Sequence, residues 1–220
     1  MRTHPLLLGH RGARGIRALA ENTLAAFDYA LAQGCDGFEF DVRMTADGQA
    51  VIVHDATLSK KRRGCKIAET TSENLNLPTL HEVLARYQSR AFLDIELKVG
   101  GLEKGVVEML REIPPTRGFV VSSFLPEVLE RLRDLNRNIL LGLICETQAE
   151  LRHWSELPVD YVIPHYKLVR QDLIAELKGA GKKSLVWTVN LAAQMKRFRD
   201  WGVDGIISDS PAKLVRAFAE

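Results

Sequence analysis

Glu39 and Asp41 stand two residues apart in Gly37-Phe38-Glu39-Phe40-Asp41-Val42, an apolar run with the composition of a β-strand. On a strand that spacing sends both carboxylates to one face and Phe38, Phe40 and Val42 to the other. Two acids held this close raise each other's pKa, so the pattern calls for a shared proton or a bound cation. Glu96, in Ile95-Glu96-Leu97-Lys98, supplies a third carboxylate at the end of another apolar run. Three oxygen ligands, with no cysteine and no His-x-x-x-His pairing, suit one hard divalent ion, Mg²⁺ or Ca²⁺ with Mn²⁺ admissible, better than zinc. The competing reading is an ion network in which these acids pair with Arg11, Arg43 and Lys98, and spacing leaves the two level.

His10, in Gly9-His10-Arg11-Gly12, and His54, in Val53-His54-Asp55, also close apolar runs. Histidine titrates near neutral pH, so two of them at one mouth provide an acid and a base. Arg11 and Lys98 add positive charge for an anionic group, Arg11 as a bidentate donor and Lys98 as a point charge. The set points to phosphoryl or acyl transfer, and the two cations favour a phosphate-bearing substrate. His165, in Pro164-His165-Tyr166, is a further candidate for the pocket lining, while His4, His81 and His153 read as surface residues.

A repeating scaffold is needed to bring these segments together. Short β-rich runs beginning near Leu6, Gly37, Ala91, Gly118, Ile139, Asp160, Ser184 and Asp204 alternate with helix-period stretches. Leu24, Phe27 and Leu31, then Val106, Leu110 and Ile113, then Val128, Leu132 and Leu135 give three of the amphipathic stripes. Asn22-Thr23 can cap the first helix, Pro126 and Pro211 stand at helix starts, and Gly34, Gly181 and Gly202 follow helix ends. Gly34-Cys35-Asp36-Gly37 and Gly202-Val203-Asp204-Gly205 look like one helix-to-strand turn used twice. Eight strands and eight helices predict an α/β fold, a compact (β/α)8 TIM barrel formed as a single domain over residues 1–220. In that fold catalytic groups collect at the C-terminal strand ends. A doubly wound sheet is disfavoured because Gly12 and Gly15 only partly imitate a Gly-rich phosphate loop. The rhythm breaks after the second strand, where approximately residues 43–78 form a short insertion. It holds a turn at Asp47-Gly48, a short strand over Ala50 to His54 and a basic loop, Lys60-Lys61-Arg62-Arg63-Gly64, read as a solvated face, before a helix resumes over Leu80 to Tyr87.

Composition narrows the function classes. With 46% hydrophobic and 26% charged residues the chain is an ordinary globular one, and 30 Lys and Arg against 28 Asp and Glu leave a net charge of +2. That balance implies neither a nucleic-acid footprint nor an anionic membrane. Apolar runs such as Leu6 to Leu8 are far below the roughly 20 residues of a bilayer span, so no stable membrane insertion is expected. The first residues show no secretory signal pattern, which predicts a cytoplasmic location. Cys35, Cys65 and Cys145 are odd in number and widely spaced, suggesting neither a disulfide framework nor a zinc site.

Taken in order, Gly9-His10-Arg11-Gly12-Ala13, Glu21-Asn22-Thr23, Gly37 to Val42, Thr45-x-Asp47-Gly48, Val53-His54-Asp55, Leu77-Pro78-Thr79-Leu80 and Ile95 to Lys98 resemble the motifs of the glycerophosphodiester phosphodiesterases. The resemblance continues through Val121-Ser122-Ser123-Phe124 and Trp187-Thr188-Val189-Asn190 to Asp204-Gly205-Ile206-Ile207-Ser208-Asp209 and so covers essentially the whole chain. It implies a barrel whose inserted segment lies over the site. It also implies metal-dependent hydrolysis of small-molecule glycerophosphodiesters to glycerol 3-phosphate and an alcohol. Glu39, Asp41 and Glu96 match metal-binding carboxylates, His10 and His54 the general acid and base, and Arg11 and Lys98 phosphate contacts. Trp187 matches an aromatic near the glycerol end, although a tryptophan there could equally be barrel core. Ala20 stands where the family often has proline, and Lys60-Lys61-Arg62 where it often has Arg-Thr-Thr; neither replaces a proposed catalytic group. The alternatives are a headgroup-cleaving lysophospholipase D-type activity, and a non-catalytic barrel that binds a phosphate-bearing metabolite. Oligomeric state is not legible.

Overall fold

The computed structural model describes residues 4–58 and 64–219, so Lys60 to Arg63 of the basic loop lie outside the described residues. Eight parallel strands close into a barrel: β1 (Leu6–Gly9), β2 (Gly37–Met44), β4 (Phe92–Leu97), β5 (Phe119–Ser123), β6 (Leu141–Cys145), β7 (Tyr161–Pro164), β8 (Lys183–Val186) and β9 (Gly205–Ser208). Closure comes from β1 pairing with both β2, through Leu8 and Gly37, and β9, through Leu6 to Gly9. The crossover helices are α1 (Leu24–Ala32), α2 (Leu80–Tyr87), α3 (Glu103–Glu112), α4 (Pro126–Leu135), α5 (Gln148–Leu151), α6 (Gln171–Gly179), α7 (Ala192–Trp201) and α8 (Pro211–Arg216). The expected (β/α)8 barrel is therefore present. One crossover is shorter than the others: α5 is a single turn that buries only Leu151 and passes into a 3-10 turn at Arg152–Ser155.

Strand alternation sorts the side chains. Leu8, Val120, Ile144, Ile163, Leu185 and Ile207 fill the barrel, whereas Phe27, Phe38, Phe40 and Tyr87 pack between sheet and helices, with Phe27 and Phe38 stacked at 4.2 Å. Stacked pairs of this kind add about 0.5–1.5 kcal/mol beyond their buried area. The repeated helix-to-strand turn also has a physical basis. Asp36 accepts the backbone N–H of Leu7 and Asp204 that of Ser184, both at the N-terminal end of the barrel (2.9 and 2.8 Å), and Asp160 accepts that of Leu141 in the same way (2.9 Å). Each aspartate ties the start of one strand to its neighbour.

Strand β2 is twice as long as β1, and its upper half pairs with antiparallel β3 (Ala50–Ile52), Val42 opposite Ile52 and Met44 opposite Ala50. The strand expected over Ala50 to His54 is thus shorter, but Val53 still donates its N–H to the Asp41 main-chain carbonyl (2.9 Å), so the chain stays beside β2 until it releases His54. Beyond, Asp47 holds the segment down by accepting the hydroxyls of Thr45 and Ser72 and the Ser72 N–H. Those bonds draw the exposed Asp47 carboxyl down to about 2. No helix among the described residues is long and apolar enough to cross a membrane.

Candidate active site

The C-terminal end of β1 turns sharply. Arg11 (φ +47°) and Gly12 (φ +79°) are both left-handed, and a Cβ on Gly12 would come within 2.7 Å of the Ala26 backbone. The turn aims the Arg11 N–H at Glu39 Oε2 (2.9 Å) and leaves His10 fixed by its own N–H on Ser208 (2.8 Å). Across the adjacent strands Glu39 lies opposite Asp94 and Asp41 opposite Glu96, so two tiers of carboxylates face inward. Asp94, not singled out from the sequence, follows from the same two-residue spacing as Glu39 and Asp41; it takes the Ser122 hydroxyl (2.6 Å).

Glu39, Asp41 and Glu96 each offer an oxygen, and these atoms all lie within 4.8 Å of one another; all three residues are buried. Arg11 and Lys98 are part of the same cluster. Arg11 Nε is 3.3 Å from Asp41 and its Nη1 donates to Glu21 (2.7 Å), while Lys98 Nζ donates to Glu96 (2.6 Å) and lies 3.4 Å from Asp41. Arg43 stands apart, spending its Nε on the His54 carbonyl (2.7 Å), so it positions a histidine and joins no carboxylate here. Four inward carboxylates thus face two cations. Burial, then the charges of Asp41, Glu96 and Asp94, push Glu39 well above the usual carboxylate range. Burial and Asp41 push Glu96 up to about 8, against the opposing pull of Lys98, and burial takes Asp94 to about 7. Burial would lift Asp41 as well, but Arg11, Lys98 and the Asn22 amide hold it below its ordinary value. Glu39 Oε1 is buried with no hydrogen-bond partner, and Asp41 Oδ1 is buried with no hydrogen bond and only the Lys98 ammonium at 3.4 Å. A buried carboxylate oxygen without a partner, as at Glu39, costs roughly 1–3 kcal/mol, and a divalent ion at this cluster would remove both that cost and the charge imbalance. The residues fit such an ion.

The two histidines are each held by a carboxylate at Nδ1, His10 by Asp209 (2.7 Å) and His54 by Asp55 (2.7 Å). Asp209 is further fixed by Asn190 (2.6 Å) and lies 3.7 Å from Arg14; against burial, His10 first and then Asn190 and Arg14 hold it below the usual carboxylate range. His10 Nε2 then faces Glu39 at 3.8 Å. Asp209 and Asn190 were legible only as members of motifs, because Asp209 meets His10 from the opposite end of the sequence and Asn190 acts through Asp209.

A cavity of about 300 Å³ opens over this floor. His10, Arg11, Glu39, His54, Glu96 and Lys98 line it towards β1, β2 and β4, with Ile207 of β9 beside them, and Phe124, Ile144, Glu146, Ile163 and Trp187 line it towards β5 to β8. Trp187 is both barrel core and cavity wall. Its indole N–H is bound to Ile163 (2.9 Å) and its ring meets Phe124 edge-on at 5.7 Å. His165 does not line this cavity. It follows the last residue of β7 and packs behind Trp187, 5.3 Å away, where burial and Lys167 lower its pKa. His81 and His153 are exposed, but His4 is half-buried against the Phe218 ring.

Residues 10–213 match the model of the Glycerophosphoryl diester phosphodiesterase family. The chain belongs to this family. A glycerophosphodiester phosphodiesterase of Caldanaerobacter subterraneus subsp. tengcongensis is 30% identical over 96% of both chains. The structure of an Oleispira antarctica phosphodiesterase in complex with the product sn-glycerol-3-phosphate superposes with a TM-score of 0.85, 28% identity and coverage of 97% of this chain and 96% of that one. A glycerophosphodiester phosphodiesterase from Agrobacterium tumefaciens superposes with a TM-score of 0.83 at 25% identity, over 97% and 98% of the two chains. Family membership makes the protein a phosphoric diester hydrolase of the glycerophosphodiester type.

Proposed function

We propose that the whole chain, residues 1–220, acts as one catalytic domain that hydrolyses glycerophosphodiesters to glycerol 3-phosphate and an alcohol, with one divalent cation, Mg²⁺ or Ca²⁺, held by Glu39, Asp41 and Glu96. The observation that carries this reading is the buried carboxylate trio with the unpartnered Glu39 Oε1, sharing one cavity with two histidines that are each oriented by a carboxylate. When bound, the cation supplies Lewis-acid stabilisation of the charge that grows on the phosphoryl oxygens. Lys98 and Arg11 lie at the rim of the trio and provide positive charge for the diester's anionic oxygens, Arg11 by its planar fork and Lys98 as a compact charge. For Lys98 this means sharing its ammonium between Glu96 and the phosphate. Trp187 and Phe124 form the wall against which the carbon skeleton lies.

Asp209 and Asp55 hold their histidines in the tautomer with the proton on Nδ1, which leaves each Nε2 free to exchange a proton with the reacting groups. One Nε2 takes the proton of the attacking hydroxyl, either from water directly or from the neighbouring glycerol hydroxyl, in which case a cyclic phosphate forms and water opens it to glycerol 3-phosphate in a second step. The other gives a proton to the departing alkoxide, and the carboxylate behind each ring stabilises its charged form. Each such transfer contributes about 10²–10⁴ in rate. The segment of roughly 43–78 borders the reaction through His54 and is short, so it selects the alcohol loosely. His10→Ala and His54→Ala are expected to lose turnover by at least about 10²-fold while the circular dichroism spectrum and calorimetric cation binding stay near wild type. Near-normal rates in either variant would remove the histidine assignment.

A further inference from the structure

We propose that Glu146 accepts a hydrogen bond from the glycerol hydroxyl furthest from the phosphate, and thereby selects deacylated diesters over their 1-acyl counterparts. The inference rests on the hydrolytic reading above and names the part of the substrate that the far wall recognises.

In the closed barrel β6 is four strands from β1 in either direction, so Glu146, the residue after β6, stands across the cavity from His10 and Arg11. Its backbone is fixed: the Glu146 and Thr147 N–H groups both donate to Glu150 Oε2 (2.7 and 2.9 Å), inside the capping box that starts α5. Glu150 is thus used on backbone. The exposed Glu146 carboxylate has no hydrogen bond or ion pair to any described residue, unlike the carboxylates of the floor, although its charge is felt by His165. Around it the wall is Ile144, Ile163 and Trp187, and the single polar atom these side chains carry, the indole nitrogen, is bound to the Ile163 carbonyl. This wall therefore presents one anionic acceptor on an apolar ground and no donor.

A phosphate is repelled there and is drawn to the Arg11 and Lys98 side. What suits the far wall is a carbon chain with a hydroxyl donor at its end. Glycerol has that form, and the solved neighbour from Oleispira antarctica holds sn-glycerol-3-phosphate. Glu146 is exposed at the cavity wall, and an acyl group on the same oxygen removes the hydroxyl proton that would bond to the carboxylate and leaves it to water alone. The discrimination expected is that of a single charged hydrogen bond at a solvent-accessible wall.

The test compares kcat/KM for glycerophosphocholine, its analogue lacking the terminal hydroxyl, and 1-acyl lysophosphatidylcholine, in wild type and in Glu146→Ala and Glu146→Gln. A charged hydrogen bond of ordinary strength predicts that wild type prefers glycerophosphocholine to the deoxy analogue by about tenfold or more. Glu146→Ala should erase that preference through KM, Glu146→Gln should retain part of it, and Glu146→Ala should narrow the gap to the lysophospholipid. An unchanged ratio in Glu146→Ala, or an equal fall on both diesters, overturns the proposal. So does a loss seen with glycerophosphocholine but not with glycerophosphoglycerol, because the carboxylate would then be reading a cationic alcohol. If wild type turns over none of these diesters, the hydrolytic reading itself fails. The wall is then read without turnover, by calorimetry of sn-glycerol 3-phosphate against inorganic phosphate. Weaker binding of the former in Glu146→Ala, with the latter unchanged, upholds the contact, and no difference removes it.

Discussion

Asp209 is partly buried and shared with Asn190, whereas Asp55 is three-quarters exposed, so His10 is held more firmly than His54. Water can replace Asp55 at little cost, but nothing replaces Asp209 inside the barrel. Asp209→Asn is therefore expected to lower kcat by more than tenfold with a small effect on KM, and Asp55→Asn by much less, in steady-state assays across pH. Glu96 gives the clearest pH consequence. Its folded pKa of about 8 lies above the unfolded value near 4.5, so its contribution to stability is complete below about pH 4.5 and is lost as pH rises through about 8. Metal-free protein is accordingly expected to lose thermal stability from pH 6 to pH 8.5, and Mg²⁺ or Ca²⁺ to restore it. Glu96→Gln should raise the metal-free Tm at pH 8.5, by roughly 2–4 °C per kcal/mol recovered in a chain of this size, and should blunt the rise caused by the cation. A Tm that is insensitive to pH in both proteins would contradict the buried-carboxylate account. At this scale Glu39 and Asp41 were legible because two-residue spacing puts them on one face, while Glu96, His10 and His54 were legible as ionisable residues ending apolar runs, and their roles came from the resemblance to the family. Asp209 was legible only as a member of a motif, since its hydrogen bond to His10 spans 199 positions and exists only once the barrel closes.

The elements carry the site through a few backbone decisions. The Arg11-Gly12 turn sends Arg11 over Glu39, and Gly12 has both a left-handed φ of +79° and backbone of α1 within 2.7 Å of a would-be Cβ. Gly48 has nearly the same φ, +77°, but open space around it. Gly12→Ala should thus cost more than the roughly 1–3 kcal/mol of backbone strain that bounds Gly48→Ala, and chemical denaturation of the two variants measures the difference. Equal losses would mean that the contact with α1 is not what fixes the turn. Parallel strand starts were legible to within two residues, because a strand buried on both faces is a short apolar run between turn signals. The length of α5 was not, since Leu151 alone anchors it and a single turn has no period to read. His165 was misplaced for a related reason: the residue after a strand end has no fixed face, and here it turns behind Trp187.

For the whole molecule, closure is what converts eight similar units into one site. The β1–β2 and β1–β9 pairings bring the first motif against the second and the last, and the fold class followed from the alternation of elements over the entire chain. Cys35 and Cys145 are buried within that assembly and pushed up to about 12, which keeps them as protonated thiols with no part in the chemistry. The cavity's two-sided character, ionic towards β1, β2 and β4 and apolar towards β6 to β8, was not legible, because it depends on which strands face each other across the barrel. The most direct test of the central claim is release of glycerol 3-phosphate from glycerophosphocholine and glycerophosphoethanolamine, with Mg²⁺ or Ca²⁺ and again with a chelator. Release that requires the cation and returns when it is added back is the predicted result. Release unaffected by the chelator, or none from folded protein that binds the cation, would contradict it.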